Sequence, residues 1–252
     1  MNTGISSRAS AKGAVFILRL RRRKNQETRM EAVAHYIVDE PKQLYGKWNG
    51  RFLADVESIE LELGCGKGTF VVESALRNRN TGYLAIERLP EAIVVAAEKA
   101  AAAALKNVVF VCCDASQINE IFESREVSRV YINFCDPWQK RRHEKRRLTH
   151  RDFLMRYAEL LGADGDIHFK TDNALLFDYT LSELHATSFR ISEICRDLHA
   201  KDASWNIVTE YEQAWTAKGA QILRLVATVT ESTINMLHAR EQKTVTSDDT
   251  FF

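Results

Sequence analysis

One stretch of the sequence runs from a short strand through a glycine-rich loop directly into a helix. Residues 59–63 alternate apolar and acidic side chains, Gly64, Gly66 and Gly68 follow at once, and a helical pattern begins at Phe70. Glycine allows the backbone to approach a ligand closely, and the amino end of the next helix supplies free N–H groups. The stretch therefore predicts an open α/β sheet with a ligand site at the carboxyl end of this strand.

The alternation of strand and helix continues beyond this unit. Further strands are predicted over residues 83–86, 108–111, 130–132, 166–170, 189–197 and 221–229. Helices are predicted over residues 90–105, over 148–161 and up to about 187. Strands that alternate with helices form a parallel sheet with right-handed crossovers. We expect a Rossmann-like α/β fold, with a mostly parallel sheet and helices on both of its faces.

The two ends of the chain lack this pattern. The 252 residues suffice for one α/β domain with arms, and we predict a basic, partly flexible N-terminal arm over 1–50, the domain over 51–235 and a frayed tail over 236–252. The arm contains a cluster of basic residues: Arg19, Arg21, Arg22, Arg23, Lys24 and Arg29. The formal net charge is only +1, so any field that attracts nucleic acid is local. From Arg19 onward we expect the arm to contact nucleic acid, because a second basic cluster recurs at 140–147. For the first 15 residues, a disordered tail is an equal alternative.

The cysteines and the apolar runs indicate the cellular compartment and whether a metal site is present. The five cysteines form no C-x-x-C pair and have no matching histidine spacing, so we predict no metal site. An odd number of cysteines without a disulfide framework indicates a reducing cytosol. No apolar run is long enough to span a membrane, and we expect a cytoplasmic protein.

Four acidic residues stand at or near the ends of four successive strands: Glu62, Glu87, Asp114 and Asp136. A single acid at a strand end is usually a helix cap or a solvated loop residue, but four together favour a ligand lying across the top of the sheet. Dinucleotide sites use G-x-G-x-x-G, whereas the spacing here is G-x-G-x-G. Glu62 disfavours a pyrophosphate and suits a ligand with an amino group and a sulfonium. S-adenosylmethionine fits, with Glu87 on its ribose and Asp114 near its adenine.

The segment 133–147 joins an acid, a proline, an indole and a dense basic run after the fourth strand. Trp138 offers a face on which a base could stack, and the basic run suits phosphates. Asp136 at the strand end would then act on a nucleobase. The alternative is an ordinary strand end followed by a solvated basic loop.

Five motifs closely resemble the bacterial tRNA (guanine-N7-)-methyltransferase family, over roughly residues 17–230: residues 45–49, 62–68, 133–149, 167–173 and 209–212. The resemblance implies a seven-stranded class I methyltransferase fold, with residues 51–235 as the S-adenosylmethionine-dependent domain. It implies methylation of guanine N7 in the variable loop of tRNA, at position 46. Cys135 stands where serine is more common, and Gln139 where proline or histidine is usual.

The same resemblance implies a set of site residues. Those expected to bind S-adenosylmethionine are Glu62, Gly64, Gly66, Glu87, Asp114 and Asp136. Asp136 would also be the catalytic acid or the one that holds guanine. Those expected to contact the substrate are Lys140, Asp172, Thr209, Glu210, Tyr211 and Glu212. Those expected to contact RNA are Arg142, His143, Glu144, Lys145, Arg146 and Arg147. The expected partner is tRNA, and we expect neither a bound metal nor association with a membrane. The sequence does not decide between a monomer and a homodimer.

Several alternatives remain at the level of sequence. The same sheet could serve a small-molecule methyltransferase, which would not need the basic clusters, or a non-catalytic RNA-binding relative, which would not need the four acids. Trp138 could stack on a base or belong to the core. Asp172 could instead cap the next helix, Thr149 is the candidate N-cap of the helix before it, and Lys170 is expected to be a strand-end lysine that extends to solvent.

Overall fold

The computed structural model describes residues 26–53, 55–200 and 203–248. The basic residues at 19–24 lie outside the described residues, as do the first 15. The centre of the fold is an eight-stranded sheet. Its strands are β1 Ile37–Val38, β2 Ser58–Leu63, β3 Thr81–Glu87, β4 Val108–Cys112, β5 Arg129–Asn133, β6 Asp166–Thr171, β7 Arg190–Cys195 and β8 Leu223–Thr228.

The strand order places a ligand-binding crevice at the middle of the sheet. The order is β1-β4-β3-β2-β5-β6-β8-β7, with the first six strands parallel and β8 antiparallel to both β6 and β7. The chain winds outward in one direction from β2 and in the other from β5. The crevice outside their carboxyl ends is therefore the switch point at which such sheets bind ligands. The predicted fold is confirmed, with β1 as a short additional strand.

Eight α-helices accompany the sheet in the described part of the chain. They are α1 Gln26–Ala32, α2 Thr69–Arg77, α3 Pro90–Ala102, α4 Ile118–Ile121, α5 Arg151–Leu161, α6 Ala174–Ala186, α7 Glu210–Thr216 and α8 Glu231–Asp248. None of these helices is both long and apolar enough to cross a membrane.

Two hydrophobic cores lie on opposite faces of the sheet, because side chains of a strand alternate between its faces. Leu61 and Leu63 of β2 belong to the core that contains buried residues of α4, α5 and α6. Tyr83 and Ala85 of β3 belong to the other core, together with α2 and α3. Glu62 lies between Leu61 and Leu63 in β2, so its side chain leaves the sheet on the side opposite to theirs.

The segment 26–50 differs from the predicted arm. Its strand β1 pairs with β4, and Trp48 is fully buried with its indole N–H donating to the carbonyl of Ile121 at 3.0 Å. Arg29 of α1 forms two hydrogen bonds of 2.6 Å with Glu98 of α3. This segment is therefore built into the α/β fold.

The predicted helix cap Thr149 is wrong, and the alternative role of Asp172 as a cap is not found either. Thr149 is buried and accepts a hydrogen bond from Thr180, while the imidazole of His150 caps α5. Asp172 does not cap α6, because the side chain of Asn173 does. Asp172 is thereby left free to face the carboxyl edge of the sheet.

The last part of the chain is more regular than predicted. Thr209 caps α7, and residues 210–212 form the first turn of this helix. The helix α8 occupies Glu231–Asp248 and contacts α5, where a frayed tail with little periodicity is predicted from residue 236. Packing against α5 stabilises a helix whose sequence alone has a weak apolar pattern.

Candidate active site

Two adjoining cavities open at the carboxyl ends of β2 and β5. The larger has a volume of about 570 Å³ and the smaller about 200 Å³. Gly64 and Phe134 line both cavities, so the two form one cleft with two compartments. Such a cleft suits a ligand whose two ends differ in chemistry.

The glycine loop forms the floor between the compartments. Gly64 and Gly66 have φ angles of +74° and +53°, and a Cβ built on either would meet no atom within 4 Å. Their open sides leave room for a ligand close to the backbone. Gly68 differs, because a Cβ there would lie 2.5 Å from the Cβ of Ala96, and this glycine allows α2 to pack against α3.

Glu62 lies under the smaller compartment and is 3% exposed. Its Oε1 accepts a hydrogen bond of 3.0 Å from the amide of Asn133, whereas its buried Oε2 has no partner among the described residues. Burial raises the pKa of Glu62 to about 7, against the lowering effects of the Asn133 hydrogen bond, of the positive charge of Lys170 and of the backbone N–H of Val71. A buried oxygen without a partner indicates a missing donor, and a cationic ligand would provide one.

Glu87 holds the glycine loop in place beside the larger compartment. Its Oε2 accepts the N–H of Gly66 at 3.1 Å, and its Oε1 accepts those of Arg88 and Leu89 at 2.9 and 3.0 Å. A carboxylate has about four acceptor positions, so hydroxyl groups of a ligand can still bind to it.

Asp114 lies at the far wall of the larger compartment. Its Oδ1 accepts the N–H of Ser116 at 2.9 Å. Burial acts to raise the pKa of Asp114, but the side-chain and backbone hydrogen bonds from Ser116 outweigh it and lower the pKa. The ionised carboxylate offers an acceptor for an amino group on a heterocycle.

Asp136 stands at the mouth of the larger compartment, three residues beyond the end of β5. Its side chain is 66% exposed, and its Oδ2 lies 3.8 Å from the guanidinium of Arg88. The two charges bridge the ends of β3 and β5 at the surface. A solvated pair of this kind is weak, so the carboxylate is available to a substrate.

Two arginines hold the turn that follows Asp136. Arg147 donates to the carbonyls of Pro137 and Trp138 at 3.1 and 3.3 Å, and its guanidinium lies 4.2 Å from the ring centroid of Tyr179. Arg146 lies 3.9 Å from the ring centroid of Trp138. Trp138 is half-buried and lines the larger compartment, with Arg146 on its ring. Arg147, which is expected to contact RNA, therefore also has a structural role in this turn.

The basic run forms a short 3₁₀ helix, Arg141–Arg146, along the rim of the larger compartment. Its most exposed side chains are Lys140, Arg141, Arg142, Lys145 and Arg146. His143 and Glu144 are half-buried, and the His143 imidazole meets the ring of Trp138 edge-on at 5.6 Å. The rim thus presents several positive charges to solvent.

The opposite rim is formed by α7 and the end of β6. Tyr211 lines the smaller compartment, and its pKa is raised by burial and then by the neighbouring carboxylate of Asp172, with a smaller effect from Asp136. The structure therefore brings Asp172, Asp136 and Tyr211 together. Thr209 and Glu210 also line this compartment, and Glu210 pairs with Lys99 at 2.8 Å.

Glu212 does not face the cleft, contrary to its expected role in direct contact with the substrate. It is fully buried, and its Oε2 accepts a hydrogen bond of 2.8 Å from Lys170. Its Oε1 lies 2.9 Å from the imidazole of His199 and 2.7 Å from the amide of Asn206. The prediction that Lys170 extends to solvent is wrong, because this lysine is 4% exposed and bound to a buried acid.

Sequence reasoning missed the contributions of Asn133, Lys170 and His199. A signal existed for the first two, since a polar residue that ends an otherwise apolar parallel strand lies at the ligand edge of the sheet. His199 has no such signal, because its partner Glu212 lies in a separate element. Among the described residues, no group of three His, Cys, Asp or Glu could hold a metal ion, and all five cysteines are free.

Known proteins are similar to this chain in sequence or in fold. A family model described as a putative methyltransferase matches residues 56–225. A tRNA (guanine-N(7)-)-methyltransferase of Clostridioides difficile (strain 630) is 42% identical over 211 residues, covering 83% of this chain and 98% of that protein. One of Geobacillus thermodenitrificans (strain NG80-2) is 40% identical over 210 residues, with 83% and 97% covered.

Two solved structures share the fold at low sequence identity. A structure of an antibiotic-related methyltransferase has a TM-score of 0.56 and 20% identity, over 70% of this chain and 90% of that one. The 16S rRNA methyltransferase KamB has a TM-score of 0.55 and 12% identity, over 71% and 90%.

A mostly parallel sheet with a glycine loop and an acid-lined cleft at its switch point defines a Rossmann-like class I methyltransferase. The sequence relationships extend over most of the chain and nearly the whole length of the relatives. The chain belongs to the tRNA (guanine-N(7)-)-methyltransferase family.

Proposed function

We propose that this protein transfers a methyl group from S-adenosylmethionine to N7 of a guanine in the variable loop of tRNA. The observation that carries the proposal is the cleft itself. A buried carboxylate oxygen without a partner lies in one compartment, and the exposed basic rim borders the other. The cleft suits a cationic methyl donor that extends through both compartments, and its basic rim suits a polyanion.

The residues around the cleft fit S-adenosylmethionine. Glu62 would hold its charged methionine end, next to the open sides of Gly64 and Gly66. Glu87 and Asp114 would accept hydrogen bonds from the ribose hydroxyls and the adenine amino group. When bound, this donor supplies an electrophilic methyl group on a positively charged sulfur.

Guanine N7 carries a lone pair and no proton, so the protein needs no general base to make it a nucleophile. The remaining tasks are to orient the base and to stabilise the positive charge that it gains. Asp136 can serve either task, as a negative charge near the ring or as an acceptor for the N1 and N2 donors. Asp172 and Tyr211 stand on the opposite rim, where they can fix the other side of the base.

The basic rim accounts for binding of the RNA backbone. The side chains of Arg142 and Lys145 are exposed and suited to phosphates. A base that is stacked in a folded RNA must be extruded to enter the cleft, at a cost that protein contacts have to offset. The rim lies beside Asp136, so phosphate contacts there would position the extruded guanine.

The test is incubation of the protein with labelled S-adenosylmethionine and unmodified total tRNA, followed by nucleoside analysis. We expect labelled 7-methylguanosine, and we expect Asp136→Ala to abolish it. Asp178→Ala is the matched control, because Asp178 pairs with Arg196 on the exposed side of α6 and lines neither compartment.

The other outcomes are equally informative. Label on a different nucleoside would retain the cofactor but contradict the assignment to guanine N7. Absence of label on RNA, with S-adenosylmethionine still bound, would favour a small-molecule methyltransferase. Unchanged turnover in Asp136→Asn would contradict both roles of that acid.

A further inference from the structure

A row of three aromatic rings leads out of the cleft along α7. The ring centroid of Phe134 lies 5.0 Å from that of Tyr211, which lies 5.8 Å from that of Trp215. The Nζ of Lys218 lies 4.6 Å from the centroid of Trp215. Tyr211 and Trp215 are four residues apart and therefore share one face of the helix.

Two of these rings, Tyr211 and Trp215, lie outside the hydrophobic core, whereas Phe134 is half-buried and packs against the small cluster of Cys195, Leu198 and Ile222. Tyr211 and Trp215 are 44% and 37% exposed, while Phe134 lines both compartments of the cleft. The only fully buried side chain of α7 is the acid Glu212. The helix thus buries a carboxylate and turns its aromatic side chains to solvent, the reverse of an ordinary amphipathic helix.

The buried acid explains how this arrangement persists. The hydrogen bonds of Glu212 with Lys170, His199 and Asn206 anchor the first turn of α7. Apolar burial of Tyr211 and Trp215 is therefore not needed to hold the helix in place. Exposed aromatic rings beside a functional cleft indicate a binding surface.

We propose that the aromatic row, Phe134, Tyr211 and Trp215, binds unpaired RNA bases that neighbour the guanine to be methylated. This inference rests on the proposed function. Every base has a π face, so a protein can stack successive bases without regard to their sequence. The row begins at the wall of the cleft. When the target guanine of an RNA strand enters the cleft, the adjacent nucleotides of that RNA lie along the rim.

The charges differ along the row: the carboxylates of Asp172 and Asp136 lie near Tyr211, at the inner end where the target base would enter, whereas the outer end carries a lysine. Lys218 lies over the outermost ring and can contact a phosphate beside a base stacked on Trp215. The acid on this helix next to the row, Glu210, is neutralised by Lys99 at 2.8 Å. The stacking would offset part of the cost of extruding the guanine.

The experiment compares Trp215→Ala with the conservative variant Trp215→Phe. A tRNA transcript carries 2-aminopurine next to the target guanine, because this fluorescent base is quenched when it stacks. We expect the wild-type protein and Trp215→Phe to quench it. Trp215→Ala should lose most of the quenching and raise the KM for tRNA about tenfold, while the Kd for S-adenosylmethionine stays at the wild-type value.

Tyr45→Ala is the control, since Tyr45 is 45% exposed and its neighbour Gly46 lines a cavity at the amino-terminal edge of the sheet. It should resemble the wild type in every measurement. A KM of Trp215→Ala within twofold of the wild type, or undiminished quenching, would overturn the aromatic row as a base-binding surface. An equal loss of affinity for S-adenosylmethionine would also overturn it, since the ring would then only shape the cleft.

The two proposals can fail separately. Quenching that depends on Trp215, without formation of 7-methylguanosine, would retain the aromatic row and contradict the proposed reaction. Formation of 7-methylguanosine at an unchanged KM in Trp215→Ala would retain the reaction and contradict the row.

Discussion

The amide of Asn133 donates a hydrogen bond of 3.0 Å to one oxygen of the buried Glu62 carboxylate and leaves the other oxygen without a partner among the described residues. The two residues stand on β2 and β5, the parallel neighbours on either side of the switch point. The register of these strands therefore orients the carboxylate toward the smaller compartment. A half-satisfied buried acid is costly to the protein alone and favourable once a cation binds.

The first prediction concerns the affinity for S-adenosylmethionine as a function of pH. Glu62 has a pKa of about 7, so the acid is ionised above this pH and protonated below it. The cationic ligand binds the ionised form, and we expect its Kd to rise about tenfold between about pH 8 and pH 6. Calorimetric titration measures this, with Glu62→Gln as a variant that binds weakly and lacks the pH dependence. A Kd that stays constant in the wild type would contradict the role of Glu62.

The second prediction concerns stability in the absence of ligand. The pKa of Glu62 is raised from 4.5 to about 7 on folding, so the folded protein holds this proton more tightly than the unfolded chain does. The resulting stability is fully present below about pH 4.5 and is lost as the pH rises through about 7, where the buried carboxylate must ionise at a penalty. Glu62→Gln removes this pH-dependent penalty and should stabilise the protein by about 3 kcal/mol at about pH 8. Its effect should be much smaller at about pH 5. Urea unfolding at both values checks this, and an equal effect at both would contradict the raised pKa.

The third prediction concerns the buried pair of Lys170 and Glu212, whose side chains are 5% and 0% exposed. Lys170→Met leaves a buried carboxylate without its main partner and should lower the free energy of unfolding by about 3–5 kcal/mol. Adding Glu212→Gln should recover part of this loss, because the second charge is also removed. Lys42→Met is the control, since Lys42 pairs with Glu120 at the surface and should cost less than about 1 kcal/mol.

The measurements for this pair are urea unfolding and the KM for tRNA. The double variant should keep a raised KM even where its stability recovers, because the anchor of α7 is gone. Normal KM values in Lys170→Met would show that the pair does not position α7 for substrate binding.

The fourth prediction separates exposed basic residues of the basic run from one that holds the turn after Asp136. Arg142 and Lys145 are exposed, and replacing each with alanine should reduce the slope of log affinity for tRNA against log salt by about one. Arg147 instead holds the carbonyls of Pro137 and Trp138, so Arg147→Ala should mainly lower stability and turnover. Filter binding over a range of salt concentrations measures the slopes. An unaltered slope in Arg142→Ala with Lys145→Ala would remove these residues from the RNA interface.

Local sequence patterns were sufficient to predict the fold and the position of the cleft. The alternation in residues 59–63, the glycines that follow and the acids at strand ends each have a meaning within a few residues of chain. The carboxyl ends of parallel strands meet at one edge, so these local patterns suffice to predict that Glu62, Glu87 and Asp114 line one cleft. The structure places all three there.

Only the tertiary structure decided which polar residue meets which partner. Lys170 and Glu212 are 42 positions apart in sequence, and their pairing turned an expected substrate ligand into a buried anchor. Asn173 caps α6 instead of Asp172 because the backbone path at the end of β6 brings its side chain to the helix start.

The same reason applies to Trp48 and α8. The Trp48 indole finds its acceptor at Ile121, and α8 finds its contact with α5, only after distant elements have packed together. A local pattern states which residues favour a strand, a turn or the interior. The free energy that selects a hydrogen-bond partner or a buried ion pair is set by groups that folding brings near, and these are not neighbours in the sequence.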